Sequence, residues 1–255
     1  MKPSSSSTTA SAIVEINNQA ASLIENGLYQ TAAGMLTSAL QMLRDFVKET
    51  IDSSQEADNE EVVHETSSEE EEDRSSLCFF LSSSAEVVAS TACTPLQRHG
   101  GSYYGTNLEI PREDEDQRFV FREPICISSK MTSISILSYA MIYNFALLHH
   151  LFALDNSVSS DGGLQRAVSL YEYAQRLLVN NGLNIGLLHT LAIANNLGHA
   201  HHYLNHEPTS KLCFERLLAA IMDGTSGDAG KSLAMDGFFR NIMSLIGKVP
   251  AAPAA

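Results

Sequence analysis

The sequence predicts an all-α protein: a short stack of antiparallel helical hairpins with one long acidic insert. Three observations carry that reading. Apolar residues recur at helical spacing through most of the chain. Asn26-Gly27 breaks that spacing so briefly that the helices on either side must fold back on each other. A helical phrase also recurs. Asn195-Asn196-Leu197-Gly198-His199-Ala200-His201-His202 is matched by Asn144-Phe145-Ala146-Leu147-Leu148-His149-His150. Asn18-Gln19-Ala20-Ala21-Ser22-Leu23 matches it more loosely. In each copy an Asn stands two positions before a small residue, and a small residue lets a second helix come close.

Residues 1–10 are a Ser/Thr-rich tail, too polar to bury surface and expected to be disordered. The first hairpin is expected over 11–48. Ile13, Ile16, Ala20, Leu23 and Ile24 lie on one helix face. Tyr29, Ala32, Leu36, Ala39, Leu40, Leu43 and Val47 lie on the next. Residues 49–130 are expected to form an acidic, disordered insert with short strands inside it. Tyr103 to Ile110 and Phe119 to Ile127 have strand composition, and Pro111 to Asp116 between them suits a turn. These residues read as a β-hairpin or as an extended segment lying on the helices. Pro124 confines the second run to an edge.

The helical period returns at Met131, and residues 131–222 read as the second and third hairpins. Ile134, Leu137, Met141, Phe145 and Ala146 precede a loop from Asp155 to Gly163. Leu164, Ala167, Tyr171 and Ala174 follow it. Leu188, Leu191, Ala194, Leu197 and Gly198 begin the third hairpin, and Ser210, Phe214, Leu217 and Ile221 complete it. Residues 223–255 read as a linker, a capping helix around Leu233 to Ile246, and a disordered tail.

The formal net charge is −14, but Glu49 to Asp73 alone holds twelve acidic residues and no Lys or Arg. Removing those twelve from −14 leaves −2 for the rest of the chain. A near-neutral body with no basic stripe speaks against nucleic acid as a partner. Cys78, Cys93, Cys126 and Cys213 form no C-x-x-C pair, and no apolar leader follows Met1. The thiols therefore read as reduced, and the protein as intracellular, cytoplasmic in the first place with the nucleus left open. No window is expected to approach the ~20 apolar residues that cross a bilayer, so no membrane partner is expected.

The hairpins align on their Asn. Ala20 to Ala32 and Gly198 to Ser210 are both twelve positions apart, and the middle copy is longer by the Asp155–Gly163 loop. Leu23, Gly27, Tyr29, Ala32, Leu36 and Ala39 of the first copy match the signature of tetratricopeptide (TPR) repeats, which the chain resembles as three divergent hairpins. The Asn-to-Asn steps depart from that family's regular period, and Gln19 stands where it has an apolar residue. The resemblance implies a short α-solenoid whose first helices line a groove for a peptide or partner helix. Asn17, Asn18, Tyr143, Asn144, Asn195, Asn196, His199 and His202 are the groove candidates. An Asn amide both donates and accepts, so it can grip a peptide main chain whatever the side chains are. It can equally tie neighbouring hairpins together, and both roles stay open.

A second reading is a His-rich, Zn-binding or hydrolytic protein. His199, His202 and His206 are spaced to share a helix face, and His150 holds the place in its copy that His202 holds in the third. No nucleophile–base pair accompanies them, so no catalysis and no cofactor are expected. Gly230-Lys231-Ser232 lacks the earlier Gly and the strand of a phosphate-binding loop. Ser67 and Ser68 sit among acids as an acidophilic kinase would require. Homo-oligomerisation through the C-terminal amphipathic helix is a third reading.

Overall fold

A computed structural model describes residues 5–57, 118–128, 133–156, 160–183, 185–224 and 233–246. They hold seven helices: α1 (Ser5–Glu25), α2 (Tyr29–Ala57), α3 (Ile134–Asp155), α4 (Ser160–Asn180), α5 (Leu187–Tyr203), α6 (Glu207–Gly224) and α7 (Leu233–Ile246). No β-strand occurs among the described residues. The chain divides into two compact units. One contains α1 to α4 and residues 122–128; the other contains residues 118–121 and α5 to α7.

In the first unit α1 pairs with α2 and α3 with α4, while α3 also packs on α1 and α2. Gly27 ends α1 with φ of 70°, which a side chain would oppose. Its N–H donates to Ile24 O at 3.0 Å, and Leu28 N–H donates to Leu23 O at 2.9 Å. These two bonds close the helix end and turn the chain back. Ile13, Ala20, Ala21 and Ile24 of α1 are buried, as are Ala32, Leu36, Ala39 and Leu43 of α2.

Helix α3 is buried on all sides from Leu137 to Leu151, since partners cover it all round. That corrects the expectation that no window approaches a membrane span. Ile134–Asp155 is long and apolar enough to cross a bilayer, and 89% of its apolar window is buried inside the fold instead. A helix apolar all round belongs in a core or a membrane, and this one has the core.

In the second unit α5 pairs with α6, and α7 packs on both. Asn205 ends α5 in the left-handed region with φ of 59°, where the first hairpin uses Gly27. Gly198 does what a small residue between paired helices should do. A Cβ there would stand 2.7 Å from Phe214 Cε1. Ser210 Oγ, twelve positions on, donates to Gly198 O at 2.7 Å.

Two boundaries differ from the sequence expectation. Ser5 to Ala10 are helical, and Ala10 is buried. Helix α2 runs on to Ala57, because Glu49 to Ala57 contains no Gly or Pro to break it. Residues 118–128 take the second of the two expected forms, an extended segment, whose residues 119, 121, 125 and 127 pair with helix side chains. The other arm of the expected hairpin, the acidic run, Ser67, Ser68, Cys78, Cys93 and Gly230-Lys231-Ser232 lie outside the described residues.

Candidate functional site

An extended residue points its own N–H and C=O to the same side, so one carboxamide can satisfy both, as a neighbouring strand would. Residues 118–128 are held in this way four times. In the second unit Phe119 N–H donates to Asn241 Oδ1 at 2.8 Å, and Asn241 Nδ2 donates back to Phe119 O at 2.7 Å. Phe121 N–H donates to Asn196 Oδ1, and Asn196 Nδ2 donates to Phe121 O, both at 3.0 Å. In the first unit Ile125 N–H donates to Asn144 Oδ1 at 2.7 Å, and Asn144 Nδ2 returns a bond to Ile125 O at 2.9 Å. Asn18 exchanges the same two bonds with Ile127, each 2.8 Å.

Two further Asn complete the pattern. Asn17 Nδ2 gives Ile125 O its second bond at 3.0 Å, and Asn195 Nδ2 does so for Phe119 O at 3.1 Å. Both carbonyl lone pairs are then used. The same two Asn tie helices together. Asn144 Nδ2 donates to Asn17 Oδ1 at 3.0 Å, joining α3 to α1. Asn241 Nδ2 donates to Asn195 Oδ1 at 2.7 Å, joining α7 to α5. The amides therefore hold the chain's own residues 119 to 127 and tie helices to one another.

Each unit thus contains one clasp of the same design. A lone Asn (Asn144 or Asn241) holds residue i. The second of a consecutive pair (Asn18 or Asn196) holds residue i+2. The first of that pair (Asn17 or Asn195) braces the other two. Two residues of extended chain advance about 7 Å, close to the ~8–10 Å between packed helices. Neighbouring helices therefore meet alternate residues. Asn17, Asn144, Asn195, Asn196 and Asn241 are buried, and Asn18 is half-buried. A buried carboxamide persists only when its donors and acceptor are matched.

Asn241 escaped the sequence reading. The recurring phrase places its Asn two positions before a small residue, but Met243 stands there in α7. The small residue exists to admit a companion helix, and no helix follows α7 among the described residues. The Asn itself, on the inward face with Met235, Phe238 and Ile242, was the remaining signal.

The other candidates are placed elsewhere. Tyr143 is fully buried, its ring 6.3 Å from Tyr139 and 5.9 Å from Tyr171; burial pushes its phenol far above the ordinary range. Next to Asn144 in sequence, it faces the core because α3 has no exposed side. His199 is buried and stacks on Tyr203 at 4.9 Å. Half-buried His202 puts Nδ1 2.9 Å from Glu207 Oε1. His206 Nδ1 lies 3.3 Å from His201 Nδ1. His150 is fully buried with Nδ1 3.5 Å from the Tyr171 hydroxyl, and burial, then Arg122, pushes its pKa down to about 3. His149, against Phe145, is pushed down to about 4 by burial and then by Arg166. Among the described residues no three or more His, Cys, Asp or Glu are grouped to hold a metal ion. The imidazoles named for zinc each engage a different neighbour.

A scan against models of protein families and searches of curated proteins and of solved structures find no match for this chain. The paired helices and the two clasps therefore carry the functional reading. They describe an all-α protein of helical hairpins, compatible with protein–protein interaction.

Proposed function

We propose that this chain is a protein–protein interaction module of divergent TPR-like hairpins that holds an extended polypeptide by its main chain. Residues 118–128 are the resident occupant, and a partner's extended segment replaces them. One observation carries the reading: single carboxamides on α1, α3, α5 and α7 pair with both the N–H and the C=O of residues 127, 125, 121 and 119, as a neighbouring strand would. A helical core needing only stability would fill these positions with apolar residues, because buried amides add little net stability even when satisfied. Their arrangement instead accepts any backbone extended in the right register, which is the requirement of peptide capture.

The test is a dye-labelled peptide of residues 117–128 titrated into the full chain and followed by anisotropy. Saturable binding is expected, weakened at least tenfold by Asn144→Ala with Asn196→Ala in a variant whose circular dichroism matches the parent. An affinity unchanged by those substitutions, or no saturable binding at all, overturns the proposal.

A further inference from the structure

The two clasps share one main-chain grammar and differ in the side chains they accommodate. The first holds Ile125 and Ile127, both aliphatic. The second is built from rings. Phe119 meets Phe238 edge-on at 5.6 Å, and Phe121 lies tilted over the same ring at 6.0 Å. Phe121 and Phe238 are almost wholly buried. Room for Phe119 comes from Gly237, where an added Cβ would overlap the Phe119 ring. Arg118, just before Phe119, sets its guanidinium over a separate ring, 5.6 Å from the centroid of buried Phe214. A ring quadrupole favours edge-on rings and an overlying cation.

We propose that the second unit's clasp selects an Arg-aromatic-x-aromatic segment of another protein, with Phe238 as the shared floor and Gly237 as the opening for the first ring. Asn241 and Asn196 fix the main chain so that side chains two residues apart fall on the same face. Phe238 then reads both. The resident Arg118-Phe119-Val120-Phe121 is the template of the ligand. The inference rests on the reading that a partner's segment replaces the resident one, and adds to it the chemistry of that segment.

The experiment uses the full chain carrying Phe119→Ala and Phe121→Ala, which empties the ring pocket of its own occupant. The probe is a dye-labelled peptide Gln-Arg-Phe-Val-Phe-Arg. It should bind this chain at least tenfold more tightly than the parent, whose pocket is filled. It should also bind at least tenfold more tightly than the same peptide with Leu for both Phe. Adding Gly237→Ala should weaken the Phe peptide fivefold or more while leaving α7 helical, because Ala favours a helix over Gly. Equal affinity for the Phe and Leu peptides overturns ring selectivity and leaves main-chain capture standing. Neither peptide binding overturns both. Indifference of the Phe peptide to Gly237→Ala removes the assigned opening. If light scattering finds the parent dimeric and the peptide splits it, the occupant is a second copy, which overturns the assignment to another protein.

Discussion

Asn144 and Asn17, 127 positions apart in the chain, share a 3.0 Å hydrogen bond while each also holds the carbonyl of Ile125. That triangle makes the grip on the extended segment and the contact between α1 and α3 one structure. Loosening either loosens the other. Asn241, Asn195 and Phe119 repeat the triangle in the second unit.

Asn196→Ala strips both partners from the main chain of Phe121, a residue only 2% exposed. A buried peptide group left unpaired costs about 1–3 kcal/mol, so thermal melting should fall by on the order of 10 °C. Asn196→Asp keeps the acceptor and loses the donor, setting a carboxylate against Phe121 O. It should melt lower than the parent at pH 7, with the deficit shrinking as acid protonates the new carboxyl. Melting curves of both variants across pH check this.

Gly198→Ala places a methyl 2.7 Å from the Phe214 ring. The gain in helix propensity, about 1 kcal/mol, is outweighed by crowding that costs roughly 1–3 kcal/mol. Net destabilisation is expected from urea denaturation. Phe214→Leu, harmful alone by leaving a gap, should be less harmful in the Gly198→Ala background. Additive effects would mean that the methyl and the ring do not meet.

His149 and His150 are held neutral, with pKa values of about 4 and about 3 against 6.5 for a free imidazole. The unfolded chain takes up protons below pH 6.5 that the folded chain refuses until about pH 3–4. Stability is therefore complete above pH 6.5 and declines as pH falls toward 4. The loss amounts to a few kcal/mol, since each tenfold difference in proton affinity between the two states is worth about 1.4 kcal/mol. The melting temperature should drop between about pH 7 and about pH 5, and His150→Leu should flatten that slope whatever it does to the value at neutral pH.

Amide hydrogen exchange should alternate along residues 118–128. The N–H groups of Phe119, Phe121, Ile125 and Ile127 are bonded to carboxamides and should exchange slowly. Those of Arg122 and Cys126, on exposed residues, should exchange fast. Uniform exchange along the segment would mean that it does not rest in the clasps.

Much of this was legible in the chain. The hairpins follow from apolar spacing and from stops such as Gly27. Asn17, Asn18, Asn144, Asn195 and Asn196 stood out because the small residues after them marked a shared packing phrase. The extended character of Phe119 to Ile127 was also readable from its composition. Its pairing was not, since strand propensity reports a preference for extension without naming the partner. Tyr143 misled because adjacency to Asn144 says little about facing when a helix is enclosed all round. The imidazoles suggested a cluster by spacing, but each finds its own nearby partner.

The carboxamides hold residues 119, 121, 125 and 127 by their peptide groups, so that grip does not depend on which side chains the segment turns outward. Glu123 and Cys126 are exposed. New charges, a modifiable hydroxyl or a second recognition signal could be written there without retuning any helix, provided the backbone stays extended. The strap would then display a rewritable label on an unchanged frame.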